Sequence, residues 1–404
     1  MGKIKGTVTQ LVNVRLDKPT VRAKRAPALP VGTVVEISHA IRGEMYKEVD
    51  MWYVLSNQTF VWSGAINASS ETPFIEKKLI ITADDIGVVD DIDMGAKVAL
   101  RYGRINSIAV FVNRPGDTSG DYLKAWHDFL RSYERVGESR KLYDTTHVGL
   151  HFTITSGEPV SNPQGVDNLL NGKYFRKYTD FDTDYEREAF VDQIKAELDA
   201  QYEKFKTVFK RKPDHLTSHH DILTFNKPLF RHMQEWSQKN YVPLRTHKFL
   251  PSSKRFWYDT LVITDIDLPS IDKMNAWEEE FGSKVEGAQH TIVDHYGPLP
   301  PFAVINYLSQ VKKKQEKLTE WLYDFLVSKD AEREIVIHLL KTTLRRQRDL
   351  VRHYKDLDTS YPGINIKHFD GRVAEYLSLE KGSPWKSDPS LALSPVVVRQ
   401  VITA

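Results

Sequence analysis

The sequence predicts an α/β protein in which a small all-β unit precedes a larger body of alternating strands and helices. Short β-rich runs separated by turn residues occupy residues 1–68. From residue 78 onward, apolar strand-like runs alternate with helical stretches, which is typical of a parallel sheet or barrel. A third observation is the apolar run Lys78–Gly87, which ends in two adjacent aspartates and a glycine. Because α/β enzymes place their chemistry at the C-terminal ends of such strands, this run is the centre of the prediction.

Composition restricts the classes of function. The 404 residues include 56 Lys and Arg against 54 Asp and Glu, and the net charge of +2 gives no reason to predict a nucleic acid or a membrane as partner. The chain has no cysteine, so the strong metal ligands available to it are His, Asp and Glu. No apolar run has the length of a signal peptide or a membrane span. We therefore expect a cytoplasmic protein, with non-classical release and a homodimer left open.

The N-terminal unit, residues 1–68, has the sequence pattern of a small barrel. Its strand-like runs are Val12–Arg15, Gly32–Glu36, Trp52–Val54 and Phe60–Gly64. Their order and residues resemble a bacterial SH3 domain. The resemblance implies a separable module with a glycan or cell-wall ligand. In such a domain, Trp52 and Trp62 either present their rings to a sugar or pack in the core. Residues 69–77 are small, polar and proline-containing, which predicts a linker.

The second body is predicted from the order of its segments. The predicted strands are 78–87, 105–113, 147–154 and 334–338, and the predicted helices are 89–103, 122–136, 185–209, 308–327 and 367–379. Residues 250–300 have weak periodicity, which favours an insertion or a lid. Residues 386–404 contain prolines and three consecutive valines but predict no clear helix or strand, so we expect a C-terminal tail.

Three candidate metal ligands each lie at or just after the C-terminal end of a strand-like run. They are Asp85, His151 and His219, which are far apart in sequence but equivalent in topology. Strand ends converge at one face of a barrel, so these side chains are expected to meet. Three ligands of this type, with one open position, are what a catalytic zinc site requires. The neighbours His215, His220 and Asp221 compete for the third position.

Four motifs resemble those of the YdjC-like carbohydrate deacetylase family in order and approximate spacing. They are Leu79–Gly87, Val148–Pro159, Pro213–Asp221 and Glu334–His338, with weaker support from Gly103–Asn113, Val242–Arg245 and Arg372–Leu377. The resemblance implies an irregular (β/α) barrel over residues 78–385. It also implies one divalent ion, zinc or magnesium, and the hydrolysis of N-acetyl groups on amino sugars or chitooligosaccharide-like glycans.

The resemblance also implies roles for individual residues. Asp85, His151 and His219 match the metal ligands. Asp84 matches the general base, His338 the general acid, and Arg245 a residue near the substrate. Two departures affect the pocket: His220-Asp221 stands where the family usually continues S-H-x-H-x-H, and Leu339-Leu340 follows His338 where the family has a Pro-Gly pair.

The residue types suit amide hydrolysis on chemical grounds. The reaction needs a nucleophilic water, stabilisation of a developing oxyanion and a proton for the leaving amine. A divalent ion supplies the first two, while a carboxylate and a histidine move the protons. Two rival functions stay open at this point: a glycan-binding protein with an inactive barrel, and a metal hydrolase of another acyl group or of a phosphoester.

Overall fold

The computed structural model describes residues 4–69, 71–114, 117, 119–177, 180, 188–220, 227–245, 271–281, 307–341, 372 and 376–379. Asp221, the predicted tail and most of the predicted lid at 250–300 lie outside these residues. So does most of the predicted helix at 367–379, although Arg372 and residues 376–379 are helical. The chain divides into two compact units, which are described separately.

The strands and helices are numbered in chain order. The strands are β1 (Ile4–Val8), β2 (Val12–Arg15), β3 (Arg25–Leu29), β4 (Val34–Tyr46), β5 (Val49–Leu55), β6 (Phe60–Trp62), β7 (Ile66–Ala68), β8 (Lys78–Ile86), β9 (Ser107–Val110), β10 (His147–Phe152), β11 (Leu170–Asn171), β12 (Tyr174–Phe175), β13 (Leu216–Ser218) and β14 (Glu332–Ile337). The helices are α1 (Asp90–Arg101), α2 (Asp121–Ser132), α3 (Leu142–Thr145), α4 (Glu188–Phe209), α5 (Lys227–Asn240), α6 (Ile271–Phe281) and α7 (Tyr307–Val327).

The N-terminal unit is built on a seven-stranded antiparallel sheet in the order β3-β2-β6-β5-β4-β1-β7. Trp52 and Trp62 are 1% and 8% exposed, and their indole N–H groups donate to the carbonyls of Glu44 and Val49. Both tryptophans are therefore core residues and present no open ring face to a sugar. The strands between Ile4 and Ala68 form one antiparallel sheet, while a separate SH3-like domain and a glycan ligand stay predictions.

Helix α7 belongs largely to this first unit, because Ser309–Arg333 cluster with the residues up to Ile80. Tyr323 donates to the Gln58 carbonyl at 2.7 Å and meets the Phe60 ring edge-on. The predicted linker also contacts the sheet, since Ala40 of β4 exchanges backbone hydrogen bonds with residues 73 and 75. That residues 1–68 are separable stays a prediction, and a truncation would uncover this face of α7.

A buried histidine makes the stability of the first unit depend on pH. His39 is fully buried, and burial together with the nearby Lys77 lowers its pKa from 6.5 to about 4. Between those values the unfolded chain binds a proton that the folded chain does not, so stability falls as the pH is lowered through this window. One such group contributes a slope of at most about 1.4 kcal/mol per pH unit.

We predict that His39→Asn flattens this dependence. Urea unfolding between pH 6.5 and 4.5 measures the slope in both proteins. The difference between them isolates His39, because other groups that titrate in the window, such as Asp93, contribute to both. Parallel curves would show that His39 does not titrate as expected.

The second unit contains a five-stranded sheet in the order β13-β10-β9-β8-β14. The pairs β8–β9, β9–β10 and β10–β13 are parallel, and Leu244 continues the sheet as a parallel bridge to Leu216. The strands follow their order in the chain, and the last strand lies beside the first, as in a (β/α) barrel. The described strands form a curled half-barrel, and full closure as an irregular barrel stays a prediction.

The carboxylate-bearing strand β8 contains a bulge at its C-terminal end. Ala83 pairs with Ile108 and Ile86 with Val110, so β8 holds one extra residue. Asp85 adopts a left-handed backbone with φ of 61°, a conformation that costs about 1–3 kcal/mol outside glycine and clusters at functional sites. The simple alternation of a regular strand therefore does not set the direction of Asp85.

The turn after the bulge requires a glycine. Gly87 has φ of 94°, and a Cβ there would lie 2.4 Å from the Tyr122 ring. Its N–H donates to Asp93 of α1 at 2.7 Å, which ties the turn to the helix that follows.

Among the described helices, none is long and apolar enough to cross a membrane.

Candidate active site

The three predicted metal ligands meet in the second unit. Asp85, His151 and His219 each offer a ligand atom within 4.8 Å of the others, and all three are buried. The Asp85 Oδ1 atom lies 3.0 Å from His151 Nε2 and 3.1 Å from His219 Nδ1. The expectation that strand ends converge is therefore correct for β8, β10 and β13.

The two imidazoles are held by different means. The Thr217 hydroxyl lies 2.6 Å from His151 Nδ1 and 3.5 Å from the Leu150 carbonyl. If the hydroxyl donates to that carbonyl, it accepts from Nδ1–H, which leaves Nε2 of His151 with a lone pair directed at Asp85. The His219 ring is held by packing: Phe111 meets both imidazoles edge-on, with ring centroids 5.0 Å from His151 and 4.9 Å from His219.

This donor set fits a divalent cation. A carboxylate oxygen and imidazole nitrogens converge, and atoms that carry lone pairs repel unless a proton or a cation lies between them. Burial lowers the pKa of His219, which favours its neutral form, and Nε2 of His219 is buried without a hydrogen-bond partner among the described residues. Two imidazoles and one carboxylate form a common catalytic set for zinc and suit magnesium less well.

Asp84, the neighbour of Asp85 on β8, lies in a separate buried ion-pair network. Arg245 donates to both oxygens of Asp84, at 2.5 Å from Nη1 and 3.0 Å from Nη2. The same guanidinium donates to Glu334 of β14, at 3.1 Å from Nε and 2.6 Å from Nη2. Thr82, two residues before Asp84, donates to Glu334 at 2.5 Å. Asp84 is therefore held in one orientation by a planar, bidentate clamp.

The two aspartates have opposite pKa shifts. Burial raises the pKa of Asp84, and the positive charge of Arg245 only partly offsets it. Burial also opposes ionisation of Asp85, but Arg372 and the two imidazoles outweigh it and hold the pKa of Asp85 well below its ordinary value. Adjacent carboxylates pushed apart in this way are typical of sites that divide two roles between two acids.

His338 also faces this site. It follows β14, and its Nε2 atom lies 3.9 Å from Asp85 Oδ2 with 19% of the side chain exposed. The Leu339-Leu340 departure is buried, and the next residue, Lys341, donates its N–H to the Asp91 carbonyl of α1. A Cβ at Gly95 of α1 would lie 3.2 Å from that same nitrogen, so the glycine permits the close approach. The segment that replaces the family's Pro-Gly pair is therefore anchored to α1 and to the core.

The competing ligands take other positions. His215 is buried against Gly149, where a Cβ would lie 2.2 Å from its ring, and His220 faces the Thr155 hydroxyl at 3.0 Å. Neither belongs to the metal-binding group found among the described residues. Asp221 lies outside the described residues.

Sequence reasoning gave no role in the site to four residues, although each lies in a motif or supporting segment named above: Glu334, Arg372, Thr217 and Phe111. A glutamate within the apolar strand Glu334–His338 was an available signal for the first of them. The roles of the other three became visible only through their contacts.

Comparisons with known proteins identify the family of this chain. A family model described as YdjC-like protein matches residues 78–353. The chitooligosaccharide deacetylase of Proteus mirabilis is 28% identical over 188 residues, which are 46% of this chain and 66% of the relative. The protein of the same name from Salmonella paratyphi B is 33% identical over 153 residues, which are 37% of this chain and 52% of the relative. The chain thus spans about one half to two thirds of the curated relatives it matches.

A solved structure shares the fold. It is described as a candidate cellobiose-phosphate cleavage protein from Enterococcus faecalis V583, and it aligns with a TM-score of 0.50 and 19% identity over 75% of this chain and 90% of that chain. The family match runs from β8 through β14 and includes all three converging ligands. Since that match covers more than half of the sequence, the chain belongs to the YdjC-like protein family.

Proposed function

We propose that this protein is a metal-dependent hydrolase that removes N-acetyl groups from amino sugars or chitooligosaccharide-like glycans. The observation that carries the proposal is the convergence of Asp85, His151 and His219 on one point, with a second, separately clamped aspartate beside them. The names of the relatives support the substrate class.

The proposed roles begin with the ion. Asp85, His151 and His219 would hold one divalent ion, which when bound would activate a water and polarise the acetyl carbonyl. The donor set favours zinc over magnesium. The buried positions of these ligands exclude bulk water and strengthen the electrostatic interactions inside the site.

Asp84 is the proposed general base. Its raised pKa suits a group that must accept a proton near neutral pH, and the Arg245 clamp fixes the direction of its lone pairs. The described contacts of Arg245 are with Asp84 and Glu334, so they support an orienting role for it. Direct contact between Arg245 and a substrate stays a prediction.

His338 is the proposed general acid for the leaving amine, because it is partly exposed and faces the same side of the sheet as the ligands. We predict that His338→Gln lowers turnover by about 10²–10⁴ and removes one limb of the pH–rate profile. Steady-state rates between pH 5 and 9 measure both effects. If both limbs persist in the variant, His338 is a structural histidine.

Acetate release tests the proposed function. The purified 404-residue chain is incubated with N,N′-diacetylchitobiose and longer N-acetylated chitooligosaccharides, with 4-nitrophenyl acetate and bis(4-nitrophenyl) phosphate as comparisons. The proposal predicts acetate and a free amine from the oligosaccharides. Turnover of either comparison substrate without acetate release from the oligosaccharides would indicate another acyl or phosphoester hydrolase. Glycan binding without any turnover in the metal-loaded protein would indicate an inactive barrel.

A further inference from the structure

We infer that Arg372 is a positioning residue for the metal-binding carboxylate Asp85. The inference rests on the metal site proposed above and extends it to a part of the chain that the family match does not include. That match ends at residue 353, and Arg372 lies 287 residues after Asp85 in the sequence. The site would then need Arg372, from a late part of the chain, to be complete.

The contacts divide the two oxygens of Asp85 between two tasks. Arg372 Nη2 donates to Oδ2 at 2.6 Å, whereas Oδ1 faces the imidazoles of His151 and His219. Among the described residues, no other donor lies within hydrogen-bond distance of Oδ2, since His338 Nε2 is 3.9 Å away. The guanidinium therefore occupies the outer oxygen and leaves Oδ1 to the ion.

Asp85 needs such an anchor because its backbone does not hold it in a relaxed conformation. The residue sits on the bulge of β8 with φ of 61°, and a strained conformation persists only where the surrounding structure determines it. The side chain is 1% exposed, so water cannot replace a lost hydrogen bond to Oδ2. Without Arg372, the carboxylate is free to turn Oδ1 away from the two imidazoles.

The chain also holds Arg372 itself in place. Arg372 is helical and 8% exposed, and Tyr376 and Leu379 are 3% and 2% exposed. Arg372 and residues 376–379 are the described part of this region, and their buried side chains place it against the core of the second unit. The guanidinium therefore reaches Asp85 from a buried position.

The positive charge of Arg372 and its positioning of Asp85 affect metal affinity in opposite directions, so a measured affinity tells them apart. A guanidinium repels a divalent ion, so if charge alone mattered, removing it would tighten metal binding. If positioning dominates, removing it weakens metal binding. Residues that orient metal ligands typically change affinity by about 10–100-fold.

The experiment measures the Kd for Zn²⁺ in the full-length chain by competition with a chromophoric chelator. The variants are Arg372→Met and Arg372→Lys, with circular dichroism as a check on folding. Arg211→Met is the matched control, because Arg211 is a mostly buried arginine that donates to the carbonyls of Tyr143 and Thr146, at the opposite end of β10 from His151.

We expect Arg372→Met to raise the Kd by about 10–100-fold. Arg372→Lys should raise it less, because it keeps a shorter donor, and Arg211→Met should leave it unchanged. An unchanged or lower Kd in Arg372→Met would overturn the inference, as would an equal loss in the control. If Arg372→Met fails to fold, Arg372→Lys decides, and a wild-type Kd in that variant overturns the inference. A wild-type protein that binds no Zn²⁺ would instead contradict the metal site itself.

Discussion

Replacing Asp85 with asparagine is expected to abolish stoichiometric binding of a divalent ion and, with it, turnover. Asparagine keeps the size of the side chain but removes the negative charge that Oδ1 offers between His151 Nε2 and His219 Nδ1. Because changes that only reorient a ligand already cost about 10–100-fold in affinity, loss of the ligand itself should exceed 100-fold. Metal analysis of the dialysed protein and a Zn²⁺ titration measure the effect.

His215→Gln is the control for this variant. His215 is a buried histidine in the same segment as His219, but its ring packs against Gly149 outside the ligand group. It should therefore retain a full equivalent of metal. Full metal occupancy in Asp85→Asn, or loss of metal in His215→Gln, would mean that the ligands have been assigned wrongly.

The second large effect is expected at the neighbouring residue. Asp84→Asn should keep the metal and lose about 10²–10⁴ in turnover, the usual contribution of a positioned general base. The amide can still accept one hydrogen bond from Arg245, so the network with Glu334 retains most of its geometry. The measurements are kcat on a chitooligosaccharide and metal content of the same preparation.

Glu334→Gln separates orientation from proton transfer at this position. It leaves Asp84 in place but weakens the second carboxylate that holds Arg245 and accepts from Thr82. A loss smaller than that of Asp84→Asn is expected, because the proposed base is still present. Near-normal turnover in Asp84→Asn would show that another residue accepts the proton.

The sequence was sufficient to predict that the three proposed ligands converge, because their positions follow from topology. Asp85, His151 and His219 each follow a strand-like run, and parallel strands end at one edge of a sheet. Helices α1, α2, α4 and α7 were likewise predicted from their apolar spacing to within a few residues of their observed bounds. Helix α5 was missed, although Leu229, Phe230, Met233 and Trp236 have helical spacing and are buried.

Other features of the site depend on tertiary contacts that no local pattern encodes. The left-handed backbone of Asp85 accompanies one extra residue in the pairing of β8 with β9, and although aspartate adopts that conformation more often than most residues, the sequence does not mark where the bulge falls. Arg372 lies in a segment that resembles the family, but it is far along the chain from Asp85, so the local pattern does not show that the two side chains meet. The choice between core and sugar-binding roles for Trp52 likewise required knowing where its indole N–H donates.

The most direct test of the central claim is a titration of the metal-free wild-type protein with Zn²⁺ while acetate release from an N-acetylated chitooligosaccharide is followed. The account predicts that activity rises linearly and stops rising at one equivalent of metal, and that Asp85→Asn shows no rise. Full activity in the metal-free protein, or no acetate at any metal concentration, would contradict it.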